Sequence, residues 1–420
     1  MKKPQVVIFL TVFIYLLGFG MIIPILPLLS THYGASAFQA GLLMSVYSLM
    51  QFIFSPMWGK LSDKIGRRPI LMYCLLGEAV SYILLAQSRS LEMLFVSRIL
   101  TGFFGASIST ASAYISDITP PNERSKGMAL IGAAFGMGFL FGPAIGGGLT
   151  YYAESISTDM NFITGFSSYG VALLCVGTFI FAYFNLKESL VKKTDDKNSE
   201  PKSEAKKLNR IESISKFINM PVVGSLIFTF GLATLAMSMM EATLVLFMKD
   251  KFGWGIKEVS FGFAYVGICI VITQGFLVRK LIPKIGERNV LRIGLTCMAI
   301  GLTGIAFAKH IWMMAIVQTF LAVGNGFTNP SIMGSVSLLV PPDEQGAALG
   351  TTQSLSALGR VIGPALGGLL FGSLWAGSPF VISGLFVVCA LVLVLSVYSK
   401  LPMAGKKTEP ITEIVPINAE

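Results

Sequence analysis

Twelve apolar runs follow one another along the chain, and each is about as long as a membrane-crossing helix. A helix rises about 1.5 Å per residue, so roughly 20 apolar residues are needed to cross the hydrocarbon core of a bilayer. The runs cover residues 6–28, 38–58, 70–87, 91–115, 127–150, 164–186, 221–247, 259–279, 289–308, 311–334, 347–371 and 379–399. Most of the connecting loops are short, which makes neighbouring helices antiparallel. The sequence therefore predicts an all-α membrane protein with twelve transmembrane helices.

Part of the sequence is repeated at a fixed separation of 221 residues. The run GPAIGG at 142–147 returns as GPALGG at 363–368, and PNE at 121–123 returns as PDE at 342–344. In a chain this apolar, the repeat indicates two homologous halves, each carrying the same glycine-rich step in its fifth span. Duplicated halves are typical of secondary transporters, which bind their substrate between two bundles that rock. The sequence thus predicts two pseudo-symmetric six-helix bundles.

One long polar stretch interrupts the apolar runs. Charges of both signs and a lack of aromatic residues over most of 187–219 predict a disordered connector or a surface helix. This connector either allows two bundles to shift against one another or simply tethers them. The predicted organisation is an N-terminal bundle, a cytoplasmic linker, a C-terminal bundle and a cytoplasmic tail, at 1–186, 187–219, 220–399 and 400–420.

The net charge of +10 is sorted by loop and is not gathered into one binding surface. If the amino terminus is cytoplasmic, most of the 32 lysines and arginines fall on the inner side. The exceptions in outer loops are Arg89, Lys249, Lys251, Lys257 and Lys309. An inward bias of Lys and Arg sets the orientation of membrane proteins. We therefore expect both termini in the cytoplasm and no nucleic-acid partner. The short, unelaborated loops favour a bacterial inner membrane.

Sequence motifs for enzymatic chemistry are missing. There is no GxxxxGK[ST] phosphate loop, no HExxH zinc motif and no GxSxG nucleophile motif. The five cysteines fall within apolar runs and form no CxxC or Cys/His pattern, so we expect neither a metal site nor a disulfide. We therefore expect that the chain is not an enzyme and that it needs no cofactor. Uphill transport would then draw its energy from an ion gradient.

The loop between the second and third runs carries the strongest local signal. It reads GKLSDKIGRRP from Gly59 to Pro69. Glycines permit sharp backbone turns, an acid such as Asp63 can cap a helix, and the two arginines can pair with carboxylates or carbonyls. We interpret the loop as a latch that joins cytoplasmic helix ends in one conformation and releases them in another. The alternative is a set of cations that only marks the inner side.

Motifs in the same order along the chain resemble those of the major facilitator superfamily. They are the loop signature at 59–68, the fourth-span motif at 98–102, the fifth-span motif at 138–147 and the first-span motif at 18–27. The fifth-span motif is similar to that of drug–proton antiporters. The text from Ala113 to Arg124 resembles the tetracycline–proton antiporters with twelve spans. The resemblance covers essentially the whole chain.

The resemblance implies roles for several residues. Asp63, Arg67 and Asp117 would form a charged latch that holds an outward-open state. The same motifs place Gly59, Gly66, Arg68 and Arg124 in this latch, and they place Gly138, Gly142, Pro143, Gly146 and Gly147 in a helix that discriminates antiport from symport. The second half departs from the loop signature, because Pro283 stands for the acid and Glu287 for the first arginine.

Four charged residues lie inside predicted spans and away from the span ends: Glu78, Arg98, Glu241 and Arg360. Charged groups in a bilayer cost at least about 2.5–3.5 kcal/mol each, so they usually face the protein interior and carry function. Glu241 is the leading candidate for a proton carrier because it resembles a seventh-span acid of some multidrug antiporters. Glu78 is the second candidate, and the resemblance gives Arg98 a part in proton relay. The alternative is a permanent Glu–Arg ion pair that only holds helices together.

Further residues are candidates for lining a central substrate cavity. Arg360 could attract an anionic group of the substrate, or it could neutralise one of the two glutamates. The other candidates are polar, aromatic or thioether side chains within the spans: Gln51, Tyr47, Gln274, Asn325, Asn329 and Met240. Asn325 and Asn329 lie one turn apart on one face of the tenth span. A methionine can adapt to substrates of varied shape.

These features predict a monomeric secondary transporter that exports amphipathic, drug-like compounds in exchange for protons by alternating access. The surrounding lipid, protons and a small amphipathic substrate are its expected partners. One alternative keeps the fold and changes the cargo to an anionic amphiphile, lipid, sugar or metabolite handled by Arg360. A remote alternative is a membrane sensor that acts through the 187–219 linker and transports nothing.

Overall fold

The computed structural model describes residues 3–119, 124–190, 210–341 and 344–401. Within these ranges every regular element is a helix. Eleven spans there have the length and apolar composition needed to cross a membrane. The predicted fifth span lies within a further helix, Arg124–Ile156. All twelve apolar runs are therefore helical, as the sequence predicts.

The first six spans are built from eight helices. These are α1 (Lys3–Ile22), α2 (Leu26–His32), α3 (Ala37–Ile65), α4 (Arg67–Ala86), α5 (Leu91–Gly105), α6 (Ile108–Ile118), α7 (Arg124–Ile156) and α8 (Met160–Asn185). The break between α1 and α2 falls at Pro24, because proline has no N–H to continue the helical hydrogen bonds. The fourth span breaks between α5 and α6, directly after Gly105.

The remaining described elements begin in the predicted linker. They are α9 (Arg210–Ile218), α10 (Pro221–Phe252), α11 (Ile256–Ile272), α12 (Arg279–Ile285), α13 (Glu287–Phe307), α14 (Ile311–Leu339), α15 (Gln345–Ser373) and α16 (Ser378–Ser396). A π-helical turn, Thr273–Val278, joins α11 to α12 in the eighth span. A short 3₁₀ turn, Tyr398–Lys400, follows α16.

Two glycines end equivalent helices in the two halves of the sequence. Gly66 separates α3 from α4 with φ +121°, and Gly286 separates α12 from α13 with φ +80°. Side chains with a Cβ rarely adopt a positive φ, so glycine suits a reversal in a single residue. Both loops therefore turn the chain sharply between the second and third spans of their half.

The described helices group into two compact units. The first comprises Met1–Lys193, Glu241–Gly267 and Pro364–Leu374, and the second comprises Thr194–Met240, Ile268–Gly363 and Trp375–Glu420. The domain boundaries drawn from the sequence at 186 and 220 stay a prediction. Residues 191–209 of the predicted linker and 402–420 of the predicted tail lie outside the described part of the chain.

Helix α9 forms the end of the predicted linker and packs within the second unit. Its Phe217 side chain is fully buried, and the ammonium of Lys216 forms an ion pair with Glu344 at the start of α15. Gly224 of α10 lies directly against the Ile218 carbonyl, where a side chain would overlap the backbone. This part of the linker is therefore an ordered helix held against the bundle.

Candidate functional site

A buried polar cluster lies where α1, α3, α4 and α5 meet, and Gly105 is at its centre. A Cβ at this position would overlap the hydroxyl of Tyr15 and lie 3.1 Å from Gln51 Nε2 and 3.3 Å from Glu78 Oε1. Glu78 is only 2% exposed. The missing side chain of Gly105 thus makes the space in which a carboxyl, a phenol and an amide converge.

Gln51 and two tyrosines connect the cluster by hydrogen bonds. The Gln51 amide nitrogen lies 3.0 Å from Tyr15 Oη, 2.8 Å from Tyr47 Oη and 3.1 Å from the Gly105 carbonyl oxygen. The Tyr15 hydroxyl donates to the same carbonyl at 2.8 Å, and the two phenol oxygens are 3.2 Å apart. A hydroxyl both donates and accepts, so this network can rearrange when a proton arrives or leaves.

Arg98 of α5 borders the network on the aromatic side. Its guanidinium carbon lies 4.4 Å from the centre of the Tyr47 ring and 5.9 Å from that of Phe19, in cation–π contact. The residue is 2% exposed, and its Nε and Nη1 have no hydrogen-bond partner in the described structure. Among the described residues no ion pair joins Arg98 to Glu78. The cluster therefore contains a buried acid and a buried cation that are not locked together.

The structure brings together four of the residues singled out from the sequence: Glu78, Arg98, Gln51 and Tyr47. Tyr15 and Gly105 belong to the same cluster and were missed. Tyr15 is not conspicuous in an apolar run because tyrosine is common there, and Gly105 is one of 44 glycines. The position of Gly105, seven residues after Arg98, does not by itself indicate that it belongs to a polar cluster.

Other candidate residues lie elsewhere in the helices. Glu241 is half-buried in the middle of α10, directly after the buried Met240. Arg360 is half-buried in α15, and its Nη1 donates to Ser356 Oγ at 2.9 Å, one turn earlier. Both Glu241 and Arg360 therefore lie within membrane spans, as the sequence predicts.

Three amides predicted to orient a substrate lie in the second unit. Gln274 is in the π-helical turn, while Asn325 and Asn329 are on α14. Gly326 lets α14 approach that turn, since a Cβ there would be 2.8 Å from Thr273 Cγ2 and 3.8 Å from Gln274 Cγ. Gln274 and Asn325 are half-buried, whereas Asn329 is exposed. The close approach thus brings the elements that carry Gln274 and Asn325 side by side.

The predicted latch residues surround Arg67 at the start of α4. The guanidinium pairs with Asp63 one turn earlier and donates from Nε to Asp117 Oδ2 at 3.1 Å. Its Nη1 donates to Ser62 Oγ at 2.7 Å and lies 3.5 Å from the Gly59 carbonyl oxygen. The ends of α3, α4 and α6 are therefore joined through one largely buried arginine.

Glu188, directly after the sixth span, joins the contacts among the predicted latch residues. Its carboxylate accepts the backbone N–H groups of Arg67 and Arg68, at 2.9 and 3.1 Å, and so caps the amino terminus of α4. Arg68 in turn donates to the Tyr183 carbonyl at 2.6 Å, and Ser189 Oγ donates to Asp117 at 3.0 Å. The sequence gives no hint of Glu188, because it is one acid in a charged stretch and lies far along the chain from the loop. The side chain of Arg124, also predicted here, lies outside the described residues.

The glycines of the fifth-span motif bring α7 against α1. A Cβ at Gly138 would lie 2.6 Å from Leu16 Cβ, and one at Gly142 would lie 2.7 Å from Gly20 Cα. A Cβ at Gly146 would meet the Met21 carbonyl at 2.6 Å. Pro143 lies inside this helix. Small residues permit such close approach between membrane helices, so the motif is a packing surface along α1.

The last glycine of each repeated run packs against a helix from the other half of the sequence, within the first unit. Gly147 of α7 contacts Ser260 of α11, and Gly368 of α15 contacts the backbone of Ala37 at the start of α3. Gly41 of α3 lies directly against the Pro364 carbonyl. The Ala365 N–H also donates to Ser45 Oγ at 3.0 Å. The repeated run therefore serves equivalent contacts in both halves.

Twelve membrane helices, a duplicated sequence and a polar cluster inside the spans define a secondary transporter. Two overlapping segments, residues 8–288 and 226–417, match the family model described as Major Facilitator Superfamily. The chain belongs to the Major Facilitator Superfamily, and this membership confirms the predicted fold class and the assignment to transporters and not to enzymes.

The relatives of known sequence are named as drug-resistance proteins. The chain is 33% identical to "Tetracycline resistance protein, class B" of Escherichia coli, over 94% of this chain and 95% of that one. It is 29% identical to "Multidrug resistance protein 2" of Bacillus subtilis (strain 168), again over 94% and 95%. These names describe proteins to which the chain is similar over nearly its full length.

Solved structures of transporters share the fold. The human organic anion transporter MFSD10 (TETRAN) superposes with a TM-score of 0.68 at 23% identity, covering 94% of this chain and 99% of that one. A bacterial homologue of the human lysosomal transporter Spinster, in an inward-facing and occupied conformation, gives 0.72 at 13% identity, with 94% and 96% covered. At such identities the likeness concerns the fold alone.

Proposed function

We propose that this protein exports amphipathic, drug-like compounds in exchange for protons. The observation that carries the proposal is the buried Glu78, which has a phenol and an amide beside it and no ion pair to Arg98 among the described residues. The names of the relatives, tetracycline and multidrug resistance proteins, support the class of cargo. Tetracyclines are therefore the first compounds to test.

In the proposed cycle Glu78 exchanges its proton while the hydrogen-bond network adjusts around it. A neutral carboxyl can donate one hydrogen bond, whereas a carboxylate only accepts. The Tyr15 hydroxyl and Gln51 amide offer donors to the charged form, and the hydroxyl can turn to accept from the neutral form. The N–H groups of Arg98 are placed to compensate a negative charge that appears in the cluster, either on Glu78 or on a bound substrate.

Glu241, the leading candidate from the sequence, stays a proposed proton carrier on a different helix. It lies in a membrane span and is half-buried, which is the setting in which intramembrane acids carry function. The latch around Arg67 would control the cytoplasmic helix ends, and both termini would be cytoplasmic in a bacterial inner membrane. The predicted monomeric state belongs to the same proposal.

The two acids can be tested separately in proteoliposomes with an imposed pH gradient. We expect Glu78→Gln to reduce gradient-driven tetracycline export at least about tenfold while binding is retained, because glutamine keeps hydrogen-bonding capacity and cannot ionise. Glu241→Gln should also reduce export if both acids carry protons. Glu92→Gln is the matched control, since Glu92 lies at the exposed start of α5. Full gradient-driven export by Glu78→Gln would refute the role of the cluster.

A further inference from the structure

Two arginines at the start of α13 stack on the same tyrosine ring. The guanidinium carbons of Arg288 and Arg292 lie 4.7 and 5.5 Å from the ring centre of Tyr398, which follows α16 in the 3₁₀ turn. The Tyr398 hydroxyl is hydrogen-bonded to the Asn289 side chain, so the ring is held in place from α13 itself. The three side chains, Arg288, Arg292 and Tyr398, are referred to below as the arginine pair on Tyr398.

These two cations have no counter-ion within the described ranges. No ion pair there involves Arg288 or Arg292, and the Nε of Arg288 is buried without a hydrogen-bond partner. The nearest acid in sequence, Glu287, lies towards Gly334 of α14. Like charges one helical turn apart repel each other. The positive-inside rule explains why arginines occur at this end of α13, and it gives no reason for two of them to share one ring.

The surface beside the arginine pair on Tyr398 is apolar. Ile293 directly follows Arg292 and is 38% exposed, and Leu395 precedes Tyr398 by one turn and is 48% exposed. Both residues lie on membrane-spanning helices, α13 and α16, that pack together. Lys284 near the end of α12 and Lys400 at the end of the 3₁₀ turn are exposed and add further positive charge. The surface is therefore cationic at its cytoplasmic end and apolar along the membrane.

We propose that the arginine pair on Tyr398 binds the headgroup of an anionic phospholipid. A phosphodiester supplies acceptor oxygens that suit the planar donor fork of arginine. Its acyl chains would lie along Ile293 and Leu395. Basic pockets between helices on the cytoplasmic side are a setting in which anionic lipid headgroups bind. The proposal concerns a lipid site outside the transport pathway and does not depend on which compound is exported.

The test measures lipid binding to the purified full-length protein in detergent. Phosphatidylglycerol and phosphatidylcholine are titrated separately, and bound lipid is counted by native mass spectrometry. We expect wild type to bind phosphatidylglycerol more tightly, and Arg288→Gln/Arg292→Gln to bind it about thirtyfold more weakly, since each cation near an anionic surface contributes roughly fivefold. Binding of phosphatidylcholine should not change. Raising the salt concentration should weaken the phosphatidylglycerol binding of wild type.

Two further variants make the result decisive. Arg89→Gln/Lys309→Gln removes two exposed cations at the predicted outer ends and should leave phosphatidylglycerol binding as in wild type. If the double variant at the site fails to fold, Arg292→Gln alone removes the exposed member and should weaken binding about fivefold.

Three outcomes would overturn the proposal. The first is equal phosphatidylglycerol affinity of wild type and the site variants, and the second is an equal loss in the outer control. The third is that wild type binds the lipid only after residues 402–420 are removed. That last result would assign the cationic site to carboxylates of the protein's own tail.

Discussion

At the scale of single residues, the space at Gly105 determines whether the polar cluster can form. A Cβ at this position would overlap the hydroxyl of Tyr15 and would press closely on the Gln51 amide, at 3.1 Å, and on the Glu78 carboxyl, at 3.3 Å. Tyr15 and Gln51 are held there by hydrogen bonds to the Gly105 carbonyl. A substitution here therefore acts on the position of Glu78 and leaves its chemistry intact.

We expect Gly105→Ala to displace the Tyr15 hydroxyl, break its hydrogen bond to the residue 105 carbonyl and reduce proton-coupled transport at least about tenfold. A lost buried hydrogen bond costs about 1–3 kcal/mol, so the protein should still fold. Transport in proteoliposomes and the Tm of the purified protein are the two measurements. Gly177→Ala is the control, because nothing lies within 4 Å of a Cβ there. Unchanged transport in Gly105→Ala would show that the cluster tolerates a side chain at its centre.

Sequence reasoning found the residues that differ most from their surroundings. Glu78 and Arg98 are conspicuous because charges are costly in an apolar run, and Gln51 is conspicuous for a similar reason. Tyr15 and Gly105 fit an apolar membrane helix in size and polarity, and their importance comes only from the tertiary neighbours of Glu78. Glu188 was missed for the same physical reason, since a helix cap depends on where a distant loop folds.

At the scale of helices, the repeated glycine-rich run acts through backbone contact. Gly368 of α15 lies against the carbonyl of Ala37 and the Cα of Phe38, and Gly41 of α3 lies against the Pro364 carbonyl. Backbone atoms cannot move aside as a flexible side chain can. The repeat in the sequence predicted equivalent halves, whereas the pairing of α15 with α3 could only come from the folded structure.

We expect Gly368→Leu to force α3 and α15 apart and to destabilise the protein by about 1–3 kcal/mol, the usual range for overpacking. Transport should fall as well, because α3 and α15 meet at the repeated glycine-rich run. Thermal unfolding and transport are measured on the same preparation. Gly372→Leu introduces the same side chain one turn later on α15, where nothing lies within 4 Å of a Cβ. Equal Tm values for the two variants would contradict the importance of the contact.

At the scale of the whole molecule, the sequence predicted the number and order of spans. Each of the twelve apolar runs corresponds to a helix or to a pair of helices, because a bilayer sets their minimum length. The interruptions within spans were not predicted, and proline alone would not have located them, because Pro143 and Pro330 lie inside continuous helices. The domain boundaries remain a prediction, since residues 191–209 lie outside the described part.

An even number of spans predicts that the two termini lie on the same side of the membrane. We expect alkaline phosphatase fused after Lys400 to be inactive and the same enzyme fused after Arg89 to be active, because phosphatase folds only outside the cytoplasm. Fusions with green fluorescent protein should give the opposite pattern. An active phosphatase at the carboxyl end would overturn the predicted orientation and with it the assignment of the basic loops.

The π-helical turn at Thr273–Val278 fits one extra residue into a helical stretch of the eighth span. Every side chain after that turn is consequently rotated by about 100° from the direction that an uninterrupted α-helix would give it. A helical-wheel diagram drawn through residues 256–285 therefore assigns the wrong face to Arg279 and its successors. Deleting one residue in this span would be absorbed at that turn, because the turn already holds one extra residue. Inserting one residue would instead enlarge the irregularity there.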